Sequence, residues 1–171
     1  RMGKAIIGEA PLNNERLWRK TYVPKFMGRK GNSLWTVSAI DIALWDIKAK
    51  AAGMPRYRLI GGSREKIPFY IAGGYYAKDK GIKELQQEME EYLSWGAKAV
   101  KMKVGLLSMK EDARRVKAVR EVIGDDVRLM LDANCSYKFF EAIEFAKMVE
   151  EYHPYWFEEP VDQDDYDGYR K

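Results

Sequence analysis

Three short polar runs, each placed directly behind an apolar stretch, constrain this chain most: Lys101-Met102-Lys103, Asp132-Ala133-Asn134 and Trp156-Phe157-Glu158-Glu159-Pro160. From Lys103 to Asp132 is 29 residues, and from Asp132 to Glu158 is 26. A strand, a return helix and two loops fill that length, and its repetition builds a parallel sheet with right-handed crossovers. Polar side chains gathered at the C-terminal strand ends are the arrangement of a parallel (β/α) barrel of the TIM type. An open doubly wound sheet shares the alternation. It carries a Gly-rich phosphate turn after its first strand, and Gly73-Gly74-Tyr75-Tyr76 lacks that pattern.

The rest of the chain fits the same rhythm. Residues 4–9 read as a short strand. Residues 33–52 read as a helix that Asn32 or Ser33 can cap, with Val37, Ile40, Leu44, Ile47 and Ala51 on one side and Gly53 and Pro55 as stops. Beside that stripe, Asp41 and Asp46 are expected in solvent or in local hydrogen bonds. Beyond Gly61-Gly62, residues 67–72 read as a buried strand. Residues 82–95 read as a helix with Ile82, Leu85, Met89 and Tyr92 inward, and Ala99 to Lys103 as the next strand. Ser108-Met109-Lys110-Glu111 is a capping box. It opens a helix with Met109, Ala113, Val116, Val119 and Ile123 inward and Gly124 as stop. Val127 to Leu131, residues 137–151 and Tyr155 to Glu158 complete a strand, a helix and a fourth strand. A closed eight-strand barrel takes about 250 residues, so residues 67–171 are expected to supply about the first four strands. Residues 1–66 are expected to form a separate, mainly helical α+β part.

Charge divides along the same line. Residues 1–66 hold 14 Lys/Arg against 5 Asp/Glu, and residues 67–171 hold 16 against 21. The basic half is read as a solvated helical surface rather than a nucleic-acid face, because no nucleic-acid motif accompanies it. No apolar run reaches the roughly 20 residues that span a bilayer, and residues 1–4 lack the apolar core of a signal peptide. A single cysteine, Cys135, fits a reducing cytoplasm. The expectation is a cytoplasmic protein with no nucleic-acid or membrane partner.

The chemistry of the three runs follows from alternation. Lys101 and Lys103 point to one side of their strand. Two neighbouring ammonium groups disfavour each other's charge, so one is expected to fall toward the range of a base; the alternative is a lysine at the rim with its head in water. Asp132 follows Leu129-Met130-Leu131, where a charge requires a partner, and Asn134 offers a donor and an acceptor. The alternative there is a turn that caps the following helix. Alternation sends Glu158 and Glu159 to different sides, so one of them joins Asp132. Hard carboxylate oxygens on neighbouring strands suit Mg²⁺ rather than zinc. His153, the only histidine, precedes its strand and reads as a loop residue, and Cys135 reads as packing.

In this order and spacing the motifs resemble the enolase superfamily, in particular the mandelate racemase/muconate lactonizing enzyme family and its mandelate racemase-like branch. Gly8-Glu9-Ala10 resembles the end of a strand of the capping domain. Residues 39–46 with Gly61-Gly62 resemble its last helix and the link to the barrel. Lys-x-Lys, Asp-Ala-Asn and Trp-Phe-Glu-Glu-Pro resemble the second, third and fourth barrel strands, and residues 164–169 the approach to the fourth helix.

The resemblance implies roles. Lys103 matches the base that removes a proton α to a carboxylate, and Lys101 the neighbour that tunes it and binds the substrate carboxylate. Asp132 and Glu158 match the first two Mg²⁺ ligands, with Glu159 outside them and Asn134 toward substrate. The third ligand and a second base belong beyond Lys171. The implied activity is Mg²⁺-dependent abstraction of an α-proton through an ene-diolate, in an acid-sugar dehydratase acting on a small hydroxy acid or acid sugar. A racemase, epimerase or cycloisomerase is the alternative on the same fold. A catalytically silent fragment or binding half-barrel is the alternative of another class. The complete protein is expected to form a homo-oligomer.

Overall fold

The sheet forms where the sequence alternates most strictly. The computed structural model describes residues 2–23 and 31–171; Arg1, Lys25, Arg29 and Lys30 of the basic half lie outside them. Four strands, β1 (Ile71–Gly73), β2 (Ala99–Lys103), β3 (Arg128–Asp132) and β4 (Trp156–Glu158), pair in parallel in the order β1-β2-β3-β4. Chain order equals spatial order, as in the wall of a barrel. The register places Lys103 beside Asp132 and Asp132 beside Glu158, so three of the polar residues form one row across the sheet.

The crossovers are α5 (Ile82–Ser94), α6 (Met109–Ile123) and α7 (Phe139–Val149). They follow α1 (Met2–Ile6), α2 (Asn14–Thr21), α3 (Asn32–Ala51) and α4 (Arg56–Leu59) of the N-terminal part, and α8 (Tyr166–Arg170) ends the described chain. Ser108 caps α6 as its sequence predicts: its hydroxyl accepts from the Glu111 amide at 3.3 Å, and the Glu111 carboxylate accepts from the Ser108 amide at 3.2 Å. Leu85 and Met89 of α5, Val116 and Val119 of α6, and Phe145 of α7 close over Val100, Met102, Leu129 and Leu131 of the sheet. Complete burial of each such side chain stabilises by about 1.5–3 kcal/mol. This layer holds the strand ends still.

The chain divides into two compact units, Arg1–Ile67 and Pro68–Lys171. In the first, Leu17 of α2 and Val37, Leu44 and Ala49 of α3 are among the buried side chains. Asp46 makes the local ion pair expected of it, 2.7 Å from Lys50. No helix among the described residues is long and apolar enough to cross a membrane.

Several sequence expectations are corrected. Residues 4–9 are not a strand: Met2–Ile6 is helical, and Gly8 turns the chain at φ 82°. A strand needs a ladder partner, and all four strands of the described residues lie in the second unit. The buried strand over 67–72 shrinks to Ile71–Gly73. Ile67 and Phe69 precede the ladder and are about three-quarters exposed, and among the described residues β1 pairs on one side only. Helix α3 starts after Gly31, without the side-chain cap expected of Asn32 or Ser33, and Ile47 and Ala51 at its far end are exposed, as is Ile82 at the start of α5. Helix 137–151 is α7 followed by one 3₁₀ turn, Glu150–Tyr152.

Candidate active site at the strand ends

The row Lys103–Asp132–Glu158 is a connected ionic cluster. Asp132 has only 2% of its side chain exposed, yet it ends a strand of apolar residues. Its Oδ2 accepts from both lysines, 2.7 Å from Lys103 Nζ and 2.9 Å from Lys101 Nζ. Lys101 Nζ also donates to both oxygens of Glu158, at 2.9 and 3.0 Å. Lys103 Nζ donates to Asn134 Oδ1 at 2.7 Å, and Asn134 Nδ2 donates to Glu159 Oε2 at 3.3 Å. All six residues singled out in the sequence therefore meet in one network. Alternation places Glu158 inside it, and Glu159 reaches it from outside through Asn134.

Electrostatics follow from these contacts. Burial alone would raise the Asp132 carboxyl, but hydrogen bonds from Lys103, Lys101 and the Asn134 amide outweigh it and hold the group below its ordinary range. Burial alone would lower the Lys101 ammonium, but Asp132 and Glu158 hold it above the ordinary lysine range. The expected depression is thus not met at Lys101. Two carboxylates in direct contact outweigh burial and a like-charged neighbour.

Backbone strain gathers at the same place. Among the described residues four non-glycine positions have positive φ; Asn134 (44°), Cys135 (61°) and Glu159 (43°) sit at the ends of β3 and β4, and His153 (46°) lies apart, exposed in a loop. Such conformations cost about 1–3 kcal/mol each and persist where the surroundings enforce them. Here amides of the β3 loop lock onto the β4 end: Ala133 to the Glu158 carbonyl at 3.0 Å, Cys135 to Glu159 at 2.8 Å and Tyr137 to Pro160 at 3.2 Å. Cys135 has a backbone role, and burial pushes its thiol up.

Tyrosines flank the cluster. The Tyr70 ring lies 5.4 Å from Lys101 Nζ and the Tyr75 ring 5.8 Å from Lys103 Nζ. A cavity of about 490 Å³ opens over Tyr75, Tyr76, Lys103, Leu106, Asn134 and Ser136. A larger cleft of about 570 Å³ shares Tyr75 and Tyr76 but runs between α5 and α6 and holds none of the ionic cluster. Lys103 and Asn134 of the ionic cluster line the smaller cavity.

Residues 84–171 match the enolase C-terminal domain-like family, and residues 1–61 match the mandelate racemase / muconate lactonizing enzyme N-terminal domain. The chain belongs to the mandelate racemase/muconate lactonizing enzyme family of the enolase superfamily. Within that family it is 44% identical over 151 residues to an arabinonate dehydratase of Saccharolobus solfataricus, covering 88% of this chain and 40% of the relative. It is 38% identical over 169 residues to a D-galactarolactone cycloisomerase of Agrobacterium fabrum, covering 97% and 44%. A racemase from Streptomyces coelicolor A3(2), crystallised with bound magnesium, superimposes with a TM-score of 0.85 at 34% identity, covering 98% of this chain and 46% of that one. The chain spans less than half the length of these relatives, and four parallel strands are the share of the family's barrel that it carries.

Sequence reasoning missed Asp112 and Arg115 of α6. Asp112 is wholly buried and Arg115 is 8% exposed. They fall next to the stripe of Val116, Val119 and Ile123, and a charged pair on an apolar face was the signal available. In the spacing alone, i and i+3 on a helix, they look like an ordinary surface pair.

Proposed function

We propose that the cluster is part of an active site that removes the proton α to the carboxylate of a hydroxy acid or acid sugar, through an ene-diolate, as the first step of a dehydration. The observation that carries this reading is the convergence of Lys101 and Lys103 on Asp132, with Glu158 in the same row on the next strand. It is supported by the dehydratase, cycloisomerase and racemase relatives.

The donor set fits Mg²⁺. Asp132 and Glu158 are cross-strand neighbours that already share one cation, the Lys101 ammonium, and they offer hard oxygens on a rigid base. Among the described residues no three His, Cys, Asp or Glu side chains form a complete metal cage. Asp132 and Glu158 would therefore hold two positions of a six-oxygen shell. Bound Mg²⁺ would supply positive charge to the substrate carboxylate as its second negative charge develops.

The chain's own residues do the rest. Lys103 Nζ, held by Asp132 and Asn134, takes the α-proton in its neutral form, and the C–H electron pair moves into the ene-diolate. The Lys101 ammonium faces the same mouth and opposes the developing charge, in a site walled by Tyr70 and Tyr75 that favours such pairing over water. The β-hydroxyl then leaves as water with the proton that Lys103 took, and the resulting enol tautomerises to a 2-keto acid.

The decisive experiment follows α-proton exchange in deuterated water with the full-length protein that carries this chain. Exchange lost in Lys103→Ala, with the fold intact, is the expected result; exchange retained overturns the assignment. The cycloisomerase and racemase relatives support a second reading, isomerisation at the same carbon. Product analysis separates the two, since dehydration yields a 2-keto acid and isomerisation an epimer or a ring-opened acid.

A further inference from the structure

We propose that Arg115, acting with Asp112 and Tyr76, is a positioning residue for Lys103; this rests on the reading of Lys103 as the base. The ladder between β1 and β2 ends at Gly73 and Met102, so the Lys103 carbonyl is one residue beyond it. Arg115 bridges the gap from the outer helix. Its Nη1 donates to the Lys103 carbonyl at 2.9 Å, and its Nη2 donates to the Gly74 carbonyl at 2.7 Å. One planar fork thus ties the ends of both strands, which a lysine ammonium cannot do with the same geometry.

Asp112 holds the fork in turn. Its Oδ1 accepts from Arg115 Nη1 at 2.9 Å and from the Tyr76 hydroxyl at 2.6 Å, and its Oδ2 accepts from the Gly105 amide at 2.7 Å. The Tyr76 hydroxyl also accepts from the Leu106 amide at 3.3 Å, and its ring lies 3.9 Å from the guanidinium carbon. The network therefore fixes the loop after β1, which carries Tyr75, and the loop after β2, which leaves Lys103.

A buried ion pair is poor evidence for stability as such, because apolar residues of equal volume often serve as well. What this one supplies is geometry. Lys103 is held at both ends, its carbonyl by Arg115 and its Nζ by Asp132 and Asn134. A base displaced by about 1 Å can lose about 100-fold in rate. Tyr76 also lines the cavity over Lys103, whereas Arg115 acts on the chemistry through the Lys103 carbonyl.

The test uses Arg115→Met and Tyr76→Phe in the full-length protein, with an α-deuterated acid substrate and amide hydrogen exchange. The expected result is a kcat reduced by about 100-fold in Arg115→Met, less in Tyr76→Phe, with KM little changed. The primary deuterium isotope effect on kcat should rise as proton transfer becomes slower. Amides of residues 104–106 should exchange faster. A kcat lowered only in proportion to the folded fraction read by circular dichroism overturns the positioning role, as does an unchanged kcat; an isotope effect already at its full value in the parent stays there. If Arg115→Met does not fold, Tyr76→Phe decides, since it removes one hydroxyl. If the parent protein exchanges no α-proton, the function reading fails by itself, and the clamp is judged on amide exchange alone; no acceleration there overturns it.

Discussion

Lys103 Nζ lies 2.7 Å from Asp132 Oδ2, its cross-strand neighbour on β3, and that carboxylate is almost wholly out of solvent. Both lysines depend on it. Replacing Asp132 by Leu leaves two ammonium groups, at 11% and 19% exposure, facing each other without their shared anion. Loss of one partner from a buried ionic group costs about 3–5 kcal/mol. The expected outcome is a fall near the lower end of that range, since both amines retain some solvent. Urea unfolding of Asp132→Leu measures it; a loss below about 1 kcal/mol, the worth of a surface pair, would contradict the burial argument.

The same contacts fix a pH dependence. The Asp132 carboxyl is held below its ordinary range, so its contribution to stability is complete above the unfolded carboxyl value, about 3.9. It is lost as pH falls through the lower folded value. Lys101 is held above its ordinary range, so its contribution is complete below about 10.4 and is lost as pH rises through the higher folded value. Between these limits Asp132 and Lys101 add no pH dependence. Urea midpoints from pH 2 to 6 should decline more steeply toward acid for the parent than for Asp132→Asn; parallel curves would show that Asp132 is not the acid-sensitive group.

How much of this was legible in the sequence depends on where each residue sits. Lys101, Lys103 and Asp132 were readable because strand alternation and repeat length fix both side and register; alternation left Glu158 or Glu159 open, the resemblance pointed to Glu158, and the ladder aligns Lys103, Asp132 and Glu158 in one row. The helix over Met109–Ile123 was readable because its capping box and apolar stripe agree. Arg115 was not, because its meaning depends on β1 ending at Gly73 and leaving two carbonyls for a side chain to take. The φ of Asn134, Cys135 and Glu159 was equally hidden: amides pairing across two loops set it, not local preference. Residues 4–9 misled because two adjacent isoleucines suit a strand, yet among the described residues of the first unit there is no partner strand.

Gly105 and Gly124 separate two reasons for glycine. Both have positive φ, 95° and 66°. A Cβ on Gly124 meets nothing within 4 Å, whereas one on Gly105 falls 2.7 Å from Ser136 Cβ, where the β2 and β3 loops meet. Gly124, at φ 66° and ψ −176°, lies in a region essentially open only to glycine, so Gly124→Ala should cost about 2–3 kcal/mol from backbone strain alone. Gly105→Ala adds a clash and should cost about 2 kcal/mol more, within the usual cost of overpacking. Thermal unfolding of the two variants compares them; equal losses would mean that the β2 and β3 loops yield freely.

Tyr137 offers the opposite case, a substitution expected to do no harm. Its ring stacks 5.3 Å from Phe145 and packs edge-on 6.1 Å from Phe157, under the β3 and β4 ends. Its hydroxyl oxygen is buried and has no hydrogen-bond partner among the described residues. A buried, unsatisfied hydroxyl costs about 1–3 kcal/mol, and burial accordingly pushes the phenol's pKa up. Tyr137→Phe keeps the ring and removes the orphaned oxygen, so it should be neutral or stabilising by about 1 kcal/mol. Urea unfolding reads the change directly. A loss above about 1 kcal/mol would mean that the hydroxyl is bonded in solution, with an internal water as the partner that chemistry allows.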